Sequence, residues 1–508
     1  MAATNSEYIP SAKAAIQPTD PIVYANEEHE QPSVSVQPTI NQTTVEHART
    51  TNTYALELPV LLLFFSWNLS GTVFQNQVLY QSCILNYNES TCTLLANEKI
   101  PDDLVELEVE LEEYASKIFM ARAVLESIIP AFISFLIGPW SDKFGRRPIL
   151  LSTFFGYFLA YALLCAISIP SSFFIISPWY YLFAFIPLSL LGGTCALITG
   201  IFCYISDVTF ERDRAFRMAR MEAAVFVGLL LGALSSGNLY KLTSASVVFG
   251  LSTLCSLLGL ICVYMFVKES IKNETEETGR MAKFKALFEW KHVADLFHTC
   301  FKRREHNGRV LIWLIILALA STMFVLEGSV ALSFLFMREK FKWMITDYNF
   351  YTAFNVICQV FGNIFGTYVL NKMFGIPEIL MAIFGYFSAM FEYIVVGLAD
   401  YSWELYVASI MVMLKGVAVP MCRAYLACLV PSCEIGKIYS MTTSMESLAP
   451  IGAAPIYTFI YNYTIDTYPG AFNFFSAICY LYCIILITIV FFIRSRRQEA
   501  ANYERITS

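Results

Sequence analysis

The chain has 508 residues, of which 56% are hydrophobic and only 15% are charged, and its mean hydropathy is +0.55. A soluble protein of this length is usually less apolar and carries more charge. Apolar runs of about 20 residues recur, and each is long enough to cross a bilayer core of roughly 30 Å. The composition therefore predicts an all-α polytopic membrane protein. We expect the lipid bilayer as a partner, and no nucleic acid.

The chain begins with a polar segment, residues 1–54, which is rich in Thr, Gln, Pro, Ser and Glu. It lacks hydrophobic periodicity, which predicts a disordered tail, and no signal peptide is expected. Twelve apolar spans follow, six in an N-terminal half (55–267) and six in a C-terminal half (310–493). A polar central segment, 268–309, separates the halves, and a tail follows at 494–508. We label the predicted spans α1 to α12: 56–81, 118–140, 148–169, 178–205, 219–240, 245–267, 310–336, 348–370, 377–398, 404–430, 438–461 and 470–493.

The Lys and Arg residues of the loops orient these helices, because cytosolic loops carry an excess of both. With both termini in the cytosol, four basic clusters all fall inside: 146–147, 212–220, 302–304 and 494–497. The same orientation places the sequons at Asn88 and Asn462 outside, where glycosylation is possible.

Two cysteines, Cys83 and Cys92, flank the Asn88 sequon and lie on the predicted outside, where thiols oxidise. Other cysteines do not fall in the predicted outside loops. We expect a local disulfide between these two residues, with two free thiols as the alternative.

The loop between α2 and α3 reads GPWSDKFGRRPILL, residues 138–151, and matches the G-x-x-x-D-x-x-G-R-R signature of the major facilitator superfamily. Gly145 permits a tight turn, and Arg146 and Arg147 suit a cytosolic loop. Asp142 is free to face the partial positive charge of a helix N-terminus. In that superfamily the partner is α11, so the resemblance implies a conformational latch between the halves. The alternative is a charged turn that only anchors the topology.

Several longer segments resemble the proton-coupled folate transporter family (solute carrier family 46) within that superfamily, over about residues 56–493. They are VFQNQVLYQSC, GPWSDKFGRRPILL, GGTCALITGIFCYISDVTFERDRAFRMARMEA, RAYLACLVPSCEIGKIYS and YPGAFNFFSA. The resemblance implies the major facilitator fold, twelve transmembrane helices in two six-helix halves. Relatives of the folate carrier move other organic anions, including cyclic dinucleotides, muropeptides and conjugated steroids.

The function implied by this resemblance is secondary active transport of a small organic anion, folate-like, cyclic dinucleotide-like or related, with proton symport by alternating access. The sequence contains no nucleotide-binding loop, which argues against an ATP-driven pump. It offers no metal or nucleophile constellation, so we expect no enzyme activity, cofactor or metal. The alternative is a membrane receptor or scaffold that retains the carrier fold without translocation.

Two cations interrupt the apolar helix α10. Arg423 lies about seven residues, or roughly 10 Å, from the cytosolic end, so its side chain nearly reaches the interface. The resemblance implies that it binds substrate. Lys415 lies roughly 22 Å from that end and needs an internal partner. Glu327 of α7 matches it in depth, so we predict that these two residues pair across the cavity; the alternative is that each is hydrated separately.

Carboxylates are the remaining candidates for proton carriers, because all five His lie outside the predicted spans. In the folate carrier the glutamate that matches Glu222 of α5 couples transport to protons, so the resemblance implies that role here. The alternative is that Glu222 forms an ion pair with a nearby arginine: Arg214, Arg217 or Arg220. Glu392 and Glu446 are further acids within spans, with a weaker claim to function.

Two polar stripes follow helical spacing and indicate either a wet path or helix-to-helix contacts. The first, on α1, comprises Asn68, Thr72, Gln75 and Asn76 and leads us to predict substrate contact, because α1 lines the cavity in this superfamily. The second, on α8, comprises Asn355, Gln359 and Asn363 and leaves both interpretations open.

The central segment and the C-terminal tail carry two further patterns. Residues 281–304 have apolar positions at helical spacing and a basic end, which predicts an amphipathic helix on the inner leaflet or bracing the halves. The stretch Tyr503–Ile506 fits the Tyr-x-x-apolar form read by trafficking adaptors, although such matches also arise by chance. It keeps an endosomal or lysosomal location open beside the plasma membrane.

Overall fold

The computed structural model describes residues 56–87, 92, 105–271, 290–304, 307–343, 345–464 and 467–507. Within them the regular structure is helical. Residues that are apolar on nearly every face form the long helices, because a helix satisfies all its backbone hydrogen bonds within one segment. The N-terminal half contains α1 Glu57–Asn86, α2 Val105–Phe144, α3 Arg147–Ser171, α4, α5 Glu211–Leu242 and α6 Ala245–Phe266.

Helix α4 is built from three pieces, a 3₁₀ turn Pro178–Ala184, a short helix Ile186–Leu190 and the helix Gly193–Val208. The break before the last piece depends on glycine, because Gly192 and Gly193 have φ angles of 88° and 48°. Residues with a Cβ rarely adopt such angles. The break lets α4 approach α2 closely, since a Cβ on Gly193 would stand 2.9 Å from the ring of Pro130.

The C-terminal half begins after a short helix, Trp290–Phe301, which we call the linker helix. Two helices of this half contain irregular turns. Helix α8 ends in a π-helical turn, and α10 is interrupted by a 3₁₀ turn. The bounds are α7 Gly308–Phe341, α8 Ile345–Gly366 with the turn Thr367–Met373, α9 Glu378–Leu398, α10 Ser402–Met411 and Lys415–Cys428 around the turn Val412–Leu414, α11 Ile435–Thr464 and α12 Ala471–Thr507. The last helix thus includes most of the predicted tail.

Eleven helices of the described chain are long and apolar enough to cross a membrane. The span predicted at 438–461 is also a helix, α11, and it has 30 residues. It is less apolar because its first half carries Ser440, Thr443, Ser444 and Glu446, which face the rest of the protein and are buried. These polar groups find partners inside the bundle, as described below, so the bundle is consistent with the predicted twelve helices.

The two halves meet at the end of the bundle that carries the 144–147 loop, which we call the Asp142 end. Hydrogen bonds between α2 and α11 run from Asp142 nearly to the middle of α2, where Ser447 Oγ donates to the carbonyl oxygen of Ser127 at 3.2 Å. On α5, the carbonyl oxygen of Ala219 accepts a 3.1 Å hydrogen bond from Asn363 Nδ2 of α8. The halves are therefore closed against each other at the Asp142 end.

The linker helix lies across this closed end. It packs Phe297 against Phe135 of α2, with ring centroids 5.8 Å apart, and buries Leu296 and Cys300 completely. Burial raises the pKa of the Cys300 thiol to about 12, so this cysteine stays protonated. The helix braces both halves, which is one of the two arrangements predicted for residues 281–304; residues 281–289 lie outside the described chain.

The end of α1 opposite to the Asp142 end carries a disulfide between Cys83 and Cys92, whose Cα atoms are 5.7 Å apart. The nearby sequon at Asn88 lies outside the described residues. The second sequon residue, Asn462, is exposed in the last turn of α11, at this same end of the bundle.

Candidate functional site

Asp142 caps the N-terminus of α11. Its Oδ1 accepts a hydrogen bond from the backbone N–H of Gly436 at 2.8 Å, and its Oδ2 accepts one from Lys437 at 3.1 Å. These N–H groups belong to the first turn of a helix, where they have no intrahelical acceptor and carry partial positive charge. A carboxylate of the N-terminal half thus binds a helix end of the C-terminal half, in the position predicted for a latch.

Arg146 organises the loop beside this cap. Its side chain is fully buried, with Nη2 at 2.6 Å from Asp142 Oδ1 and Nε at 3.0 Å from Asp207 Oδ2. Burial opposes the charged form, but the two carboxylates hold the pKa of Arg146 above its ordinary value. Glu269 completes the corner by accepting hydrogen bonds from the backbone N–H groups of Arg146 and Arg147.

Gly145 is required at this corner, because its φ is 108° and a Cβ there would stand 2.4 Å from the carboxylate of Glu269. Arg147 instead points outward, where its Nη2 donates to the carbonyl oxygen of Tyr264 at 2.7 Å. The four residues of the motif therefore have four roles. Asp142 caps a helix and Gly145 forms the turn, while Arg146 bridges two carboxylates inside the protein and Arg147 makes a peripheral contact.

A layer of hydroxyl groups continues the interface inward from Asp142. Ser134 Oγ of α2 lies 2.9 Å from Ser440 Oγ of α11, and Thr199 Oγ1 of α4 lies 2.9 Å from Thr443 Oγ1. Gly138 permits this close approach, since a Cβ there would stand 2.4 Å from that of Ser440. The closed end is thus a buried, hydrogen-bonded contact and leaves no room for a larger side chain at residue 138.

A buried charge cluster lies farther along the same interface. Arg423 of α10 donates from Nη2 to both carboxylate oxygens of Glu446 of α11, at 2.9 and 2.8 Å. Its guanidinium lies 4.4 Å from the ring centroid of Phe202. The residue is 2% exposed, so it turns into the protein and does not extend toward the interface. Glu222 of α5 interacts electrostatically with both members of this pair.

The alternative predicted for Glu222, an ion pair with Arg214, Arg217 or Arg220, is wrong. Two of these arginines face Glu57 of α1 instead, with Arg220 Nη2 at 2.6 Å and Arg217 Nη2 at 3.7 Å from Glu57 Oε1. The third, Arg214, donates to Cys428 Sγ and to the carbonyl oxygen of Ser206. Glu222 instead interacts electrostatically with Arg423 of α10 and Glu446 of α11. We refer to Glu222, Arg423 and Glu446 as the Arg423 cluster; it takes acids from both halves.

The predicted pairing of Lys415 with Glu327 is also wrong. Lys415 Nζ lies 2.8 Å from Glu392 Oε2 of α9, and its ammonium stands 4.9 Å from the ring centroid of Tyr393. Glu327 is exposed on α7. Depth in the membrane could not distinguish Glu327 from Glu392 as the partner of Lys415. Glu392 lies 14 residues into α9, about 21 Å from the start of that helix, and so matches the depth of Lys415 as well as Glu327 does.

The α8 stripe connects to this second pair and acts as helix-to-helix contact. Asn355 Nδ2 donates to Glu392 Oε1 at 3.1 Å and to Ser409 Oγ at 3.2 Å, and Gln359 donates to Asn355. Lys415 is therefore held in a network inside the C-terminal half, contributed by α8, α9 and α10.

The α1 stripe is divided between two environments. Asn68 Nδ2 donates to the carbonyl oxygen of Leu229 at 2.6 Å, and Thr72 Oγ1 is hydrogen-bonded to Ser236 Oγ. Both contacts tie α1 to α5 and favour a structural role for these two residues. Gln75 and Asn76 are exposed. A different face of α1 lines a pocket between α1, α2, α3 and α4, described below.

The described chain forms long apolar helices in two halves, which are closed against each other at one end and hold buried charges between helices, as in multi-pass membrane transporters. A family model described as Major Facilitator Superfamily matches residues 115–454. The "Probable peptidoglycan muropeptide transporter SLC46" of Drosophila melanogaster is 33% identical over 457 residues, covering 87% of this chain and 86% of that protein. The chain belongs to the Major Facilitator Superfamily and, within it, to solute carrier family 46, which confirms the family predicted from the sequence.

Solved structures share this fold. The human organic anion transporter MFSD10 (TETRAN) superposes with a TM-score of 0.62 at 15% identity, covering 86% of this chain and 98% of that one. The transporter FucP in the outward conformation superposes with a TM-score of 0.58 at 11% identity, covering 87% and 99%. At these identities the likeness establishes the fold alone.

Proposed function

We propose that the protein is a secondary active transporter that moves a small organic anion together with protons by alternating access. The observation that carries this proposal is the Arg423 cluster, in which one buried guanidinium is ion-paired with Glu446 and also interacts electrostatically with a second acid, Glu222. Burying an unbalanced charge costs several kcal/mol. Two ionised acids beside one cation leave one negative charge in excess, so the cluster favours uptake of a proton.

This charge balance links the proton to the substrate. With Glu222 ionised, Arg423 is shared between two protein carboxylates and an incoming anion meets net negative charge. A proton on Glu222 leaves a neutral Arg423–Glu446 pair, and the guanidinium then has donors to spare for a substrate anion. Anion and proton therefore bind together, which is the requirement for symport. Glu222 is the proton-coupling residue in this scheme and Arg423 is the substrate ligand.

Alternating access requires the closed end to open. The Asp142 cap and the Ser134–Ser440 layer stabilise the state in which the Asp142 end is shut, and separation of α2 from α11 breaks both. The distribution of Lys and Arg favours placing this end, and both termini, in the cytosol. We propose that Arg146 and Gly145 hold Asp142 in position to re-form the cap in every cycle, with Arg147 at the membrane edge.

The remaining predicted substrate ligands have unequal support. Gln75, Asn76 and Glu327 are exposed and available to a substrate. Asn68 is better placed to fix α1 against α5. Lys415 is bound to Glu392, so we propose that it contacts substrate only when that pair opens.

Organic anions are the proposed substrate class. The Drosophila relative, which is described as a probable muropeptide transporter, supports this class, because muropeptides are organic anions. Folates, cyclic dinucleotides and peptide–sugar fragments are accordingly the candidates. We place the protein in the plasma membrane or an endosomal or lysosomal membrane, with glycans at Asn88 and Asn462 and Tyr503–Ile506 available to a trafficking adaptor.

The test is uptake into proteoliposomes. The purified full chain is screened against folic acid, a cyclic dinucleotide and muramyl dipeptide, with and without an acidic outside. Uptake stimulated by the acid side is expected for the wild type. Glu222→Gln should lose the stimulation by acid, and Arg423→Ala should lose uptake. Glu211→Gln is the matched control, because Glu211 is an exposed acid on the same helix. Binding without uptake in the wild type would favour a receptor and overturn the proposal.

A further inference from the structure

The N-terminal half contains a pocket about halfway along its helices. It opens between four helices and is walled mainly by aromatic side chains around one ion pair. The lining residues on which the argument rests are Trp67, Gly71, Phe74, Arg122, Glu126, Tyr157 and Phe185. We call this the N-half pocket. It belongs to α1, α2, α3 and α4, and so to the half that does not contain Arg423.

Arg122 is held in this pocket with donors unused. Its Nε is 3.1 Å from Glu126 Oε2, and its guanidinium lies against two rings that meet edge to face, Phe74 and Phe185, whose centroids are 4.5 and 4.1 Å from Cζ. Among the described residues, no hydrogen-bond acceptor stands against its two Nη groups. Guanidinium groups on aromatic faces are oriented and weakly hydrated, so these groups are ready to bind a ligand.

Gly71 keeps the pocket open on the side of α1. It lies inside a helix, where glycine is less favourable than alanine, and a Cβ at this position would meet no atom within 4 Å. Close packing of helices therefore does not explain this glycine. By contrast, a Cβ on Gly228 or Gly232 of α5 would stand 2.6 Å from a backbone oxygen of α1. The empty volume beside Gly71 is free for a ligand.

The charges of the pocket select the kind of group it takes. Arg122 and Glu126 form a neutral pair whose contact engages only Nε and Oε2, so the pair offers donors and an acceptor side by side; at the other pair, both oxygens of Glu446 are bound to Arg423. An uncharged amide matches this arrangement, because its carbonyl oxygen accepts from Arg122 and its N–H donates to Glu126. The aromatic walls suit its flat shape.

We propose that the N-half pocket binds an uncharged amide group of the transported anion, while Arg423 binds the anionic group. The inference rests on the proposed function, and it assigns one contact to each half. A substrate held by both halves is carried through the rocking motion by contacts on either side of the interface.

The test uses purified full-length protein and muramyl dipeptide, an anion that carries amide groups. Binding is measured as the rise of the melting temperature with ligand concentration. Gly71→Leu fills the pocket and Gly237→Leu is the matched control, because a Cβ on Gly237 of α5 also meets nothing within 4 Å and the residue is exposed. We expect Gly71→Leu and Arg122→Met to raise the half-saturating concentration about tenfold or more, the loss expected for such hydrogen bonds, and Gly237→Leu to leave it unchanged.

Gly71→Ala is a second, milder variant. It should keep or raise the melting temperature of the ligand-free protein while weakening the response to muramyl dipeptide, a combination that a folding defect does not produce. A response equal to that of Gly237→Leu, or no response of the wild type to muramyl dipeptide, overturns the inference. Wild-type protein that binds through this pocket but shows no uptake overturns the proposed function, while the pocket remains a binding site for an amide group.

Discussion

Replacement of Arg423 by methionine removes the only cation of the Arg423 cluster while keeping a flexible, unbranched side chain. Arg423 is 2% exposed, and both oxygens of Glu446 accept hydrogen bonds from it. The variant leaves Glu446, and Glu222 beside it, without a compensating charge. Removing one partner of a buried ion pair costs about 3–5 kcal/mol.

The melting temperature makes this cost measurable. For a domain of the size of one half, 1 kcal/mol corresponds to about 2–4 °C, so Arg423→Met should melt about 6–20 °C lower than the wild type. Thermal unfolding of the purified full chain in detergent, followed by intrinsic fluorescence, is the assay. Arg303→Met is the control, because Arg303 is exposed and such surface changes stay within about 0.5 kcal/mol.

Two further variants separate the pair from its surroundings. Glu446→Met leaves Arg423 with Glu222 as a remaining partner, so its melting temperature should fall less than that of Arg423→Met. The double variant Arg423→Met/Glu446→Met removes both charges and should recover most of the loss, since apolar replacement of a whole pair is often neutral. Equal melting temperatures for Arg423→Met and Arg303→Met, or a double variant less stable than either single one, would refute the reasoning.

Three other predictions concern the closed end and the outer surface. Ser134→Cys/Ser440→Cys should form a disulfide that stops uptake and is reversed by a reductant, because the two Oγ atoms are 2.9 Å apart; each single variant is the control. Gly138→Ala should lower the melting temperature while Gly237→Ala does not, because only the first Cβ meets α11. Asn88→Gln should remove a glycan, seen as faster migration in a gel; unchanged migration would place that loop away from the glycosylating side.

The linear order of residues was sufficient for much of the architecture. Apolar runs locate helices because each must match the bilayer in length, and this holds without knowledge of the neighbours. The loop motif at residues 138–151 could also be recognised from the sequence, since a glycine turn and an acid that faces a helix end are local features. Helix α11 is the instructive exception. Its Ser and Thr lower its hydropathy because they bond to α2 and α4, so its sequence reflects contacts that lie far away in the chain.

The partners of the charges inside the bundle were decided only by the tertiary structure. Sequence fixes how deep a residue lies, at 1.5 Å per residue, but rotation about the helix axis depends on how neighbouring helices pack. Lys415 therefore matched Glu327 and Glu392 equally in depth, and packing selected Glu392. The 3₁₀ turn Val412–Leu414 changes the phase further, because three residues at 3.0 per turn rotate about 60° more than in an α-helix.

The same limit explains the direction of Arg423. Its position on α10 allowed a side chain extended toward the cytosol, and only the presence of Glu446 on the adjacent α11 turned it inward. The sequence by itself thus determined a twelve-helix carrier, its family and the latch motif, because these follow from hydropathy, loop charge and local turns. The tertiary structure decided which buried charges meet, because helix rotation is set by contacts between segments that are distant in the chain.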